Sequence, residues 1–256
     1  MKHTLTLAAW NFRLARRSLL ALWGIFAAQQ LALVVFRICW QGAAGMGLAS
    51  HYYVTMQIFA YLGFYLLTGL AAGLATHNSR RARSGYTWAT LPGTPGQKFV
   101  AKAITIAAAE VVFTAWQFVW YIVEFYPVTA LEVHLARKLY GAALPPANLY
   151  EQVVANNLFS RLLPRRPLQL VILLGILALS ALLLAALDTV RGWRKLPVFA
   201  VGGLCAWQCF YLVTVEQHPA WMFTSASRNV AMALAAVLAV LTVWWAVRSI
   251  RRGETC

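Results

Sequence analysis

Negative charge is what this chain has least of: seven Asp and Glu in 256 residues, against 22 Lys and Arg, for a net charge of +15. So few carboxylates, with none paired on one predicted helix, leave little material for general acid–base catalysis. The zinc-protease pattern HExxH is absent, and the five histidines, His3, His51, His77, His134 and His218, stand far apart in sequence. Cysteine is limited to four residues. Cys205 and Cys209 share a helical face at i, i+4, but no His or carboxylate accompanies them at ligand spacing, so they read as small packing residues. No GxSG-type serine lies in an apolar segment. Gly93-Thr-Pro-Gly96-Gln97-Lys98 lacks both the four-residue interval between glycines and the hydroxyl residue after Lys that a phosphate loop needs. The chain is therefore expected to carry no catalytic residues, no metal and no cofactor of its own.

What is present in abundance is apolar surface, with 61% of residues hydrophobic and only 11% charged. That composition describes a polytopic membrane protein. Spans are predicted near residues 19–38, 54–74, 99–126, 168–187, 198–215 and 230–247, each long enough at about 1.5 Å per residue to cross roughly 30 Å of hydrocarbon. Their hydrophobicity is continuous, without the alternation a barrel strand requires. The predicted fold is all-α, with six transmembrane helices in one domain.

Short basic loops stay on the cytoplasmic side. Placing both termini inside puts fifteen of the 22 basic residues there, among them Arg13, Arg16, Arg17, Arg80, Arg81, Arg83, Lys98 and Lys102. The positive charge is thus mostly a topology signal. Nucleic-acid binding would need it gathered on one folded surface among stacking aromatics, and here it is scattered over membrane-edge loops. Trp40, Tyr52, Tyr53, Trp120, Tyr121, Tyr126 and Trp221 fall at the outer span ends, and Trp88, Trp193, Trp244 and Trp245 at the inner ends, as interfacial belts do. Residues 1–18 predict an amphipathic helix in the cytoplasmic interface, with Thr6, Ala9, Arg13, Arg16 and Arg17 on one arc; the same arginines also serve as topogenic charges. Residues 127–167 predict an external loop of two short helices, Thr129 to Tyr140 and a second capped by Asn148 with Glu151.

Glu110 is the carboxylate deepest inside a predicted span, where burial costs several kcal/mol unless the group is paired, protonated or wetted. It either locks helix packing or lines a path, and Gln29, Gln30 and Gln117 in the spans are its expected hydrogen-bond partners. Gly69 and Gly73 form a GxxxG that lets another helix approach. The one soluble-looking stretch, residues 75–98, is basic and ends in Leu91-Pro92-Gly93-Thr94-Pro95-Gly96.

This order of parts resembles the permease subunits of type 2 ABC transporters. In that family the loop between the second and third spans carries a Gly with Thr or Tyr, then Leu-Pro or Ser-Pro, then a Lys opening the next helix. Gly85-Tyr86-Thr87, Leu91-Pro92 and Lys102 occupy those places here. The likeness covers the whole chain in architecture and about 25 residues in motif. It implies that residues 75–98 dock on a separate ABC ATPase subunit, which holds ATP and Mg, and that a second permease subunit, identical or related, completes the assembly in a bacterial cytoplasmic membrane. The cytoplasmic segments are far too short to fold as an ATPase themselves. The implied function is export of a hydrophobic or amphipathic compound such as a peptide antibiotic, a drug or a lipid-linked molecule. Where the family often has an acidic residue before the Gly, this chain has Arg80, Arg81 and Arg83, so the contact is expected to carry the opposite charge. The alternative is a membrane sensor, scaffold or immunity protein that transports nothing.

Overall fold

The computed structural model describes residues 2–75, 92–141, 147–163 and 167–189, with isolated positions at 195–196, 200, 233, 237, 240–241 and 243–248. Among them there is helix and no strand. The elements are α1 (Lys2–Trp40), α2 (Leu48–Val54), α3 (Gln57–Leu74), α4 (Pro95–Tyr140), α5 (Leu149–Ala155), α6 (Asn157–Leu162) and α7 (Pro167–Thr189). Three of them, α1, α3 and α4, are long and apolar enough to cross a membrane, and α7 carries a shorter apolar stretch. The predicted spans at 198–215 and 230–247 lie, apart from isolated positions, outside the described residues, as does most of the loop at 75–98.

No break in helical structure separates the expected interfacial helix from the first span. Helix α1 runs unbroken through residue 18 for 39 residues, because Arg16-Arg17-Ser18-Leu19 contains neither Gly nor Pro and its buried face continues across the join. Leu7, Asn11, Ala15, Leu19, Trp23, Phe26, Gln30, Val34 and Ile38 are all buried, at intervals of three and four. Thr6, Ala9, Arg13, Arg16 and Arg17 are exposed, and so are Leu5 and Leu14 from the apolar side of the wheel. Helix α1 closes with Gly42 in the left-handed region (φ 64°) and with Gln41 N–H donating to the Arg37 carbonyl.

The third predicted span is also longer than expected. Helix α4 has 46 residues and passes straight through Pro127, so the external helix foreseen over Thr129 to Tyr140 is its last part. At the helical rise it is about 69 Å long, more than twice the hydrocarbon thickness. Its start is a reciprocal capping box, in which Thr94 Oγ1 accepts from Gln97 N–H at 3.3 Å and Gln97 Oε1 accepts from Thr94 N–H at 3.0 Å, with Pro95 at the first helical position. Asn148 caps α5 through Tyr150 N–H, as expected, but Asn156 then starts a separate helix, α6, by accepting from Leu158 N–H. The second span begins at Gln57, not 54, since Met56 takes a positive φ of 54° between α2 and α3.

The chain divides into two compact units, one of residues 1–16, 69–109 and 174–256, the other of residues 17–68 and 110–173. Within the first, Leu7 and Ala8 of α1 pack on Ala101 and Ile104 of α4, and Thr105 Oγ1 donates to the Ala8 carbonyl at 3.2 Å. The second is built on aromatic packing. Phe26 stacks on Phe64 at 4.6 Å, Tyr61 on Phe113 at 5.5 Å, and Phe118 on Phe159 at 4.4 Å. Leu20, Ile25, Phe36, Phe59, Leu62, Leu66, Val119 and Val123 point outward from the long helices. So many large exposed apolar side chains on helices of this length fit a lipid environment.

Candidate functional site

In the first unit, the basic loop ends at a well-anchored exit. The carbonyl of Pro92 is hydrogen-bonded by the His3 imidazole, and the capping box follows at once. Two turns into α4, Lys102 is 5% exposed and forms an ion pair with Asp188 of α7, whose carboxylate side chain is 4% exposed. Gly73 faces the same place from α3, and a Cβ there would lie 3.6 Å from Ile106 and 3.7 Å from Asp188. These are ordinary van der Waals distances, so the space beside Gly73 would admit a methyl group. Of the residues expected to contact an ATPase, Arg80, Arg81, Arg83, Gly85, Tyr86 and Leu91 lie outside the described residues. Pro92 is at the exit, and Lys102 is buried against Asp188. Asp188 was not singled out in the sequence, where it is one more acid at the end of an apolar run.

In the second unit, one face of α4 carries a seam of polar groups. Glu110, Thr114, Gln117, Tyr121, Glu124 and Glu132 recur at intervals of three, four and eight residues, and all but Thr114, which is half-buried, are buried. Tyr65 donates to Glu110 Oε2 at 2.9 Å. Thr114 gives its hydroxyl proton to the Glu110 carbonyl, so it is the Tyr61 hydroxyl that donates across to Thr114, at 2.7 Å. Tyr52 donates to Glu124 Oε2 at 2.7 Å, and its ring meets that of Tyr121 edge-on at 5.1 Å. His51 Nε2 lies 2.7 Å from Glu132 Oε1, an oxygen that also accepts from Gly47 N–H at 3.1 Å. An acceptor-only carboxylate assigns the imidazole proton to Nε2. Gln152 closes the group, its Oε1 accepting from Ala49 N–H and its carbonyl from Tyr121. Burial pushes the Tyr52 phenol well above its ordinary pKa, and the Glu124 carboxylate pushes the same way, so Tyr52 stays a proton donor.

Several expectations change here. Glu110 accepts a hydrogen bond from Tyr65. Gln30 and Gln117 are fully buried with neither amide atom hydrogen-bonded, and the Gln29 Oε1 likewise has no partner. Tyr52 and Tyr121 are not interfacial belt residues but buried donors, whereas Trp40, Tyr53 and Tyr126 remain exposed. Two further carboxylates, Glu124 and Glu132, join Glu110 on the buried face of one helix. The signal for Glu124 was legible: residues 110, 117 and 124 are spaced by sevens, which keeps them within about 20° per step on one side of a helix. The tyrosines that hold the carboxylates come from distant sequence and gave no such signal. Arg13, Arg16 and Arg17 are exposed on α1.

Among the described residues no group of three or more His, Cys, Asp and Glu could hold a metal ion. Comparison with protein-family models, with curated proteins and with solved structures finds no match to this chain.

Proposed function

We propose that the chain is the membrane-spanning permease subunit of an ABC-type exporter. It crosses a bacterial cytoplasmic membrane six times with both termini inside, and works with a separate ATPase subunit that binds ATP and Mg and with a second permease subunit. The observation that carries this reading is the anchored exit of the basic loop. A segment that receives force from another protein must be tied firmly to the helices it moves. Here the loop passes from Pro92, bonded to His3 of α1, through the Thr94–Gln97 capping box into α4, where Lys102 holds Asp188 of α7. Within that unit, displacement of the loop end acts on α1, α4 and α7 together. The exported compound is hydrophobic or amphipathic, in keeping with the apolar helices around a few buried polar groups.

Purification from the native host in mild detergent tests the reading. An ATPase chain is expected to accompany the protein and to be lost when Arg80, Arg81, Arg83 and Tyr86 are replaced by Ala. Absence of any nucleotide-hydrolysing partner, or retention of that partner by the quadruple variant, counts against it.

A further inference from the structure

We propose that a groove along the last third of α4 is a binding site for a single-chain anionic lipid. Phe125, Tyr126, Val133, His134 and Arg137 of α4 line it together with Ala147, and its volume is about 540 Å³. Tyr126, Val133 and Arg137 are separated by seven and four residues, so they follow one line along the helix, about 17 Å from first to last at the helical rise. The two ends of that line differ in chemistry. Phe125 and Tyr126 give aromatic surface where the most apolar part of α4 ends, and His134 and Arg137 put an imidazole and a guanidinium two to three turns further on. Both of these side chains are exposed and so within reach of a ligand. Among the described residues no carboxylate lines the groove, so the charge of Arg137 is not balanced from within it.

The ligand follows from the order of the parts, the volume and the direction of the groove. A line with an apolar start and a cationic finish takes an extended chain that carries a negative group at one end. Arg137 suits a carboxylate or phosphate through paired N–H donors, and His134 adds a ring N–H. Volume limits the number of chains: a methylene fills space of the same order as a liquid water molecule, roughly 30 Å³, so the groove accepts one long chain with its head and not the two chains of a phospholipid. Direction selects the source. The residues of α4 before Phe125 are the ones apolar enough to lie in hydrocarbon, so the aromatic end of the groove is the end nearer the membrane and Arg137 the end further from it. A lipid in its leaflet has the same polarity, tail toward hydrocarbon and head away, and enters without turning over. The inference rests on α4 crossing a bilayer and not on an ATPase partner, so the site would serve an exporter or a non-transporting membrane protein alike.

The test uses the full chain in nanodiscs of phosphatidylcholine. It is exposed to a photoactivatable long-chain fatty acid and, in a second arm, to the matching lysophosphatidate, and crosslinked peptides are mapped by mass spectrometry. Saturable labelling within residues 125–137 is expected from one or both probes, and the two arms tell a carboxylate head from a phosphate head. Unlabelled oleate or oleoyl lysophosphatidate should compete. Mono-olein and oleoyl lysophosphatidylcholine, with the same chain on a neutral or zwitterionic head, should compete at least tenfold less well. His134→Gln with Arg137→Gln, a change at two exposed positions, should weaken labelling at least tenfold, and Val133→Trp, which fills the groove, should block it. Absence of labelling in 125–137, equal competition by the uncharged lipids, or full labelling of the double variant overturns the proposal. The competition arms need only the parent chain, so they decide the matter whether or not a variant folds.

Discussion

His51 Nε2 and Glu132 Oε1 lie 2.7 Å apart, and the residue beside His51, Tyr52, holds Glu124 at the same distance two helical turns away. Adjacent side chains of a seven-residue helix thus hold two carboxylates of α4. Removing Glu132 strands two buried donors, the His51 Nε2–H and the Gly47 N–H, and an unmet buried polar group costs about 1–3 kcal/mol. Glu132→Ala should therefore lower stability by that order in chemical unfolding from micelles. His51→Leu with Glu132→Leu should cost less than the single change, because only the Gly47 N–H is then stranded.

Tyr52→Phe removes the donor to Glu124 and should cost about 1–3 kcal/mol, the penalty of an unmet buried acceptor. Tyr53→Phe, next in sequence but exposed, should stay within about 0.5 kcal/mol. The pH dependence has a definite sign. A phenol whose folded pKa is raised contributes stability that is complete below its unfolded pKa, about 10, and is lost as pH rises toward the folded value. Alkaline destabilisation above about pH 10 should accordingly be shallower in Tyr52→Phe than in the parent.

Two glycines should respond differently to alanine. Gly47 has φ 78°, and a Cβ there would meet the Gln152 amide at 2.7 Å, so Gly47→Ala should cost about 1–3 kcal/mol and loosen α5 from α2. Gly73 has no such strain, and its Cβ would find Ile106 at 3.6 Å and Asp188 at 3.7 Å. Gly73→Ala should be tolerated. Thermal unfolding of the two variants side by side checks the contrast.

At the start of α4, Thr94→Ala deletes the capping hydroxyl and should cost about 0.5–2 kcal/mol. Hydrogen exchange should quicken at Gln97 and its neighbours while protection near Phe113 is unchanged.

The Lys102–Asp188 pair makes a charge-reversal prediction. Lys102→Asp or Asp188→Lys alone places like charges together in a buried setting and should be severely destabilising. The double reversal should recover most of the loss. Failure of the double variant to improve on either single one would show that the pair depends on its other neighbours and not on mutual charge.

The helices were legible because hydropathy is additive along a segment: the stretches chosen as spans from 19 to 126 and from 168 to 187 fall largely on α1, α3, α4 and α7. Their ends were less legible. Pro127 read as a boundary, yet one lost backbone donor did not stop a helix whose buried face continues through Val128, Glu132 and Ala136. Arg16 and Arg17 suggested a break because positive charge marks the membrane edge, but a continuous helix can carry that charge on its exposed face. For the polar seam, Glu110 stood out by its depth in a span, and the seven-residue spacing of 110, 117 and 124 placed Glu124 on the same side of the helix. Tyr52 and Tyr121 looked amphipathic enough for the interface, and only tertiary contact shows their hydroxyls turned inward. Lys102 carried a family motif, but nothing local named Asp188, 86 residues away, as its partner.

The scarcity of acid has a further effect once location is known. Of the five acidic side chains described, Glu110, Glu124, Glu132 and Asp188 have theirs inside, and Glu151 alone is exposed. With these carboxylates inside, the exposed surface of the described residues carries Lys and Arg side chains with Glu151 as its one exposed acid, so that surface is cationic. In a bilayer it will gather anionic headgroups around its rim; once extracted, it will adsorb to polyanions and cation exchangers, and preparations will stay monodisperse best at raised salt.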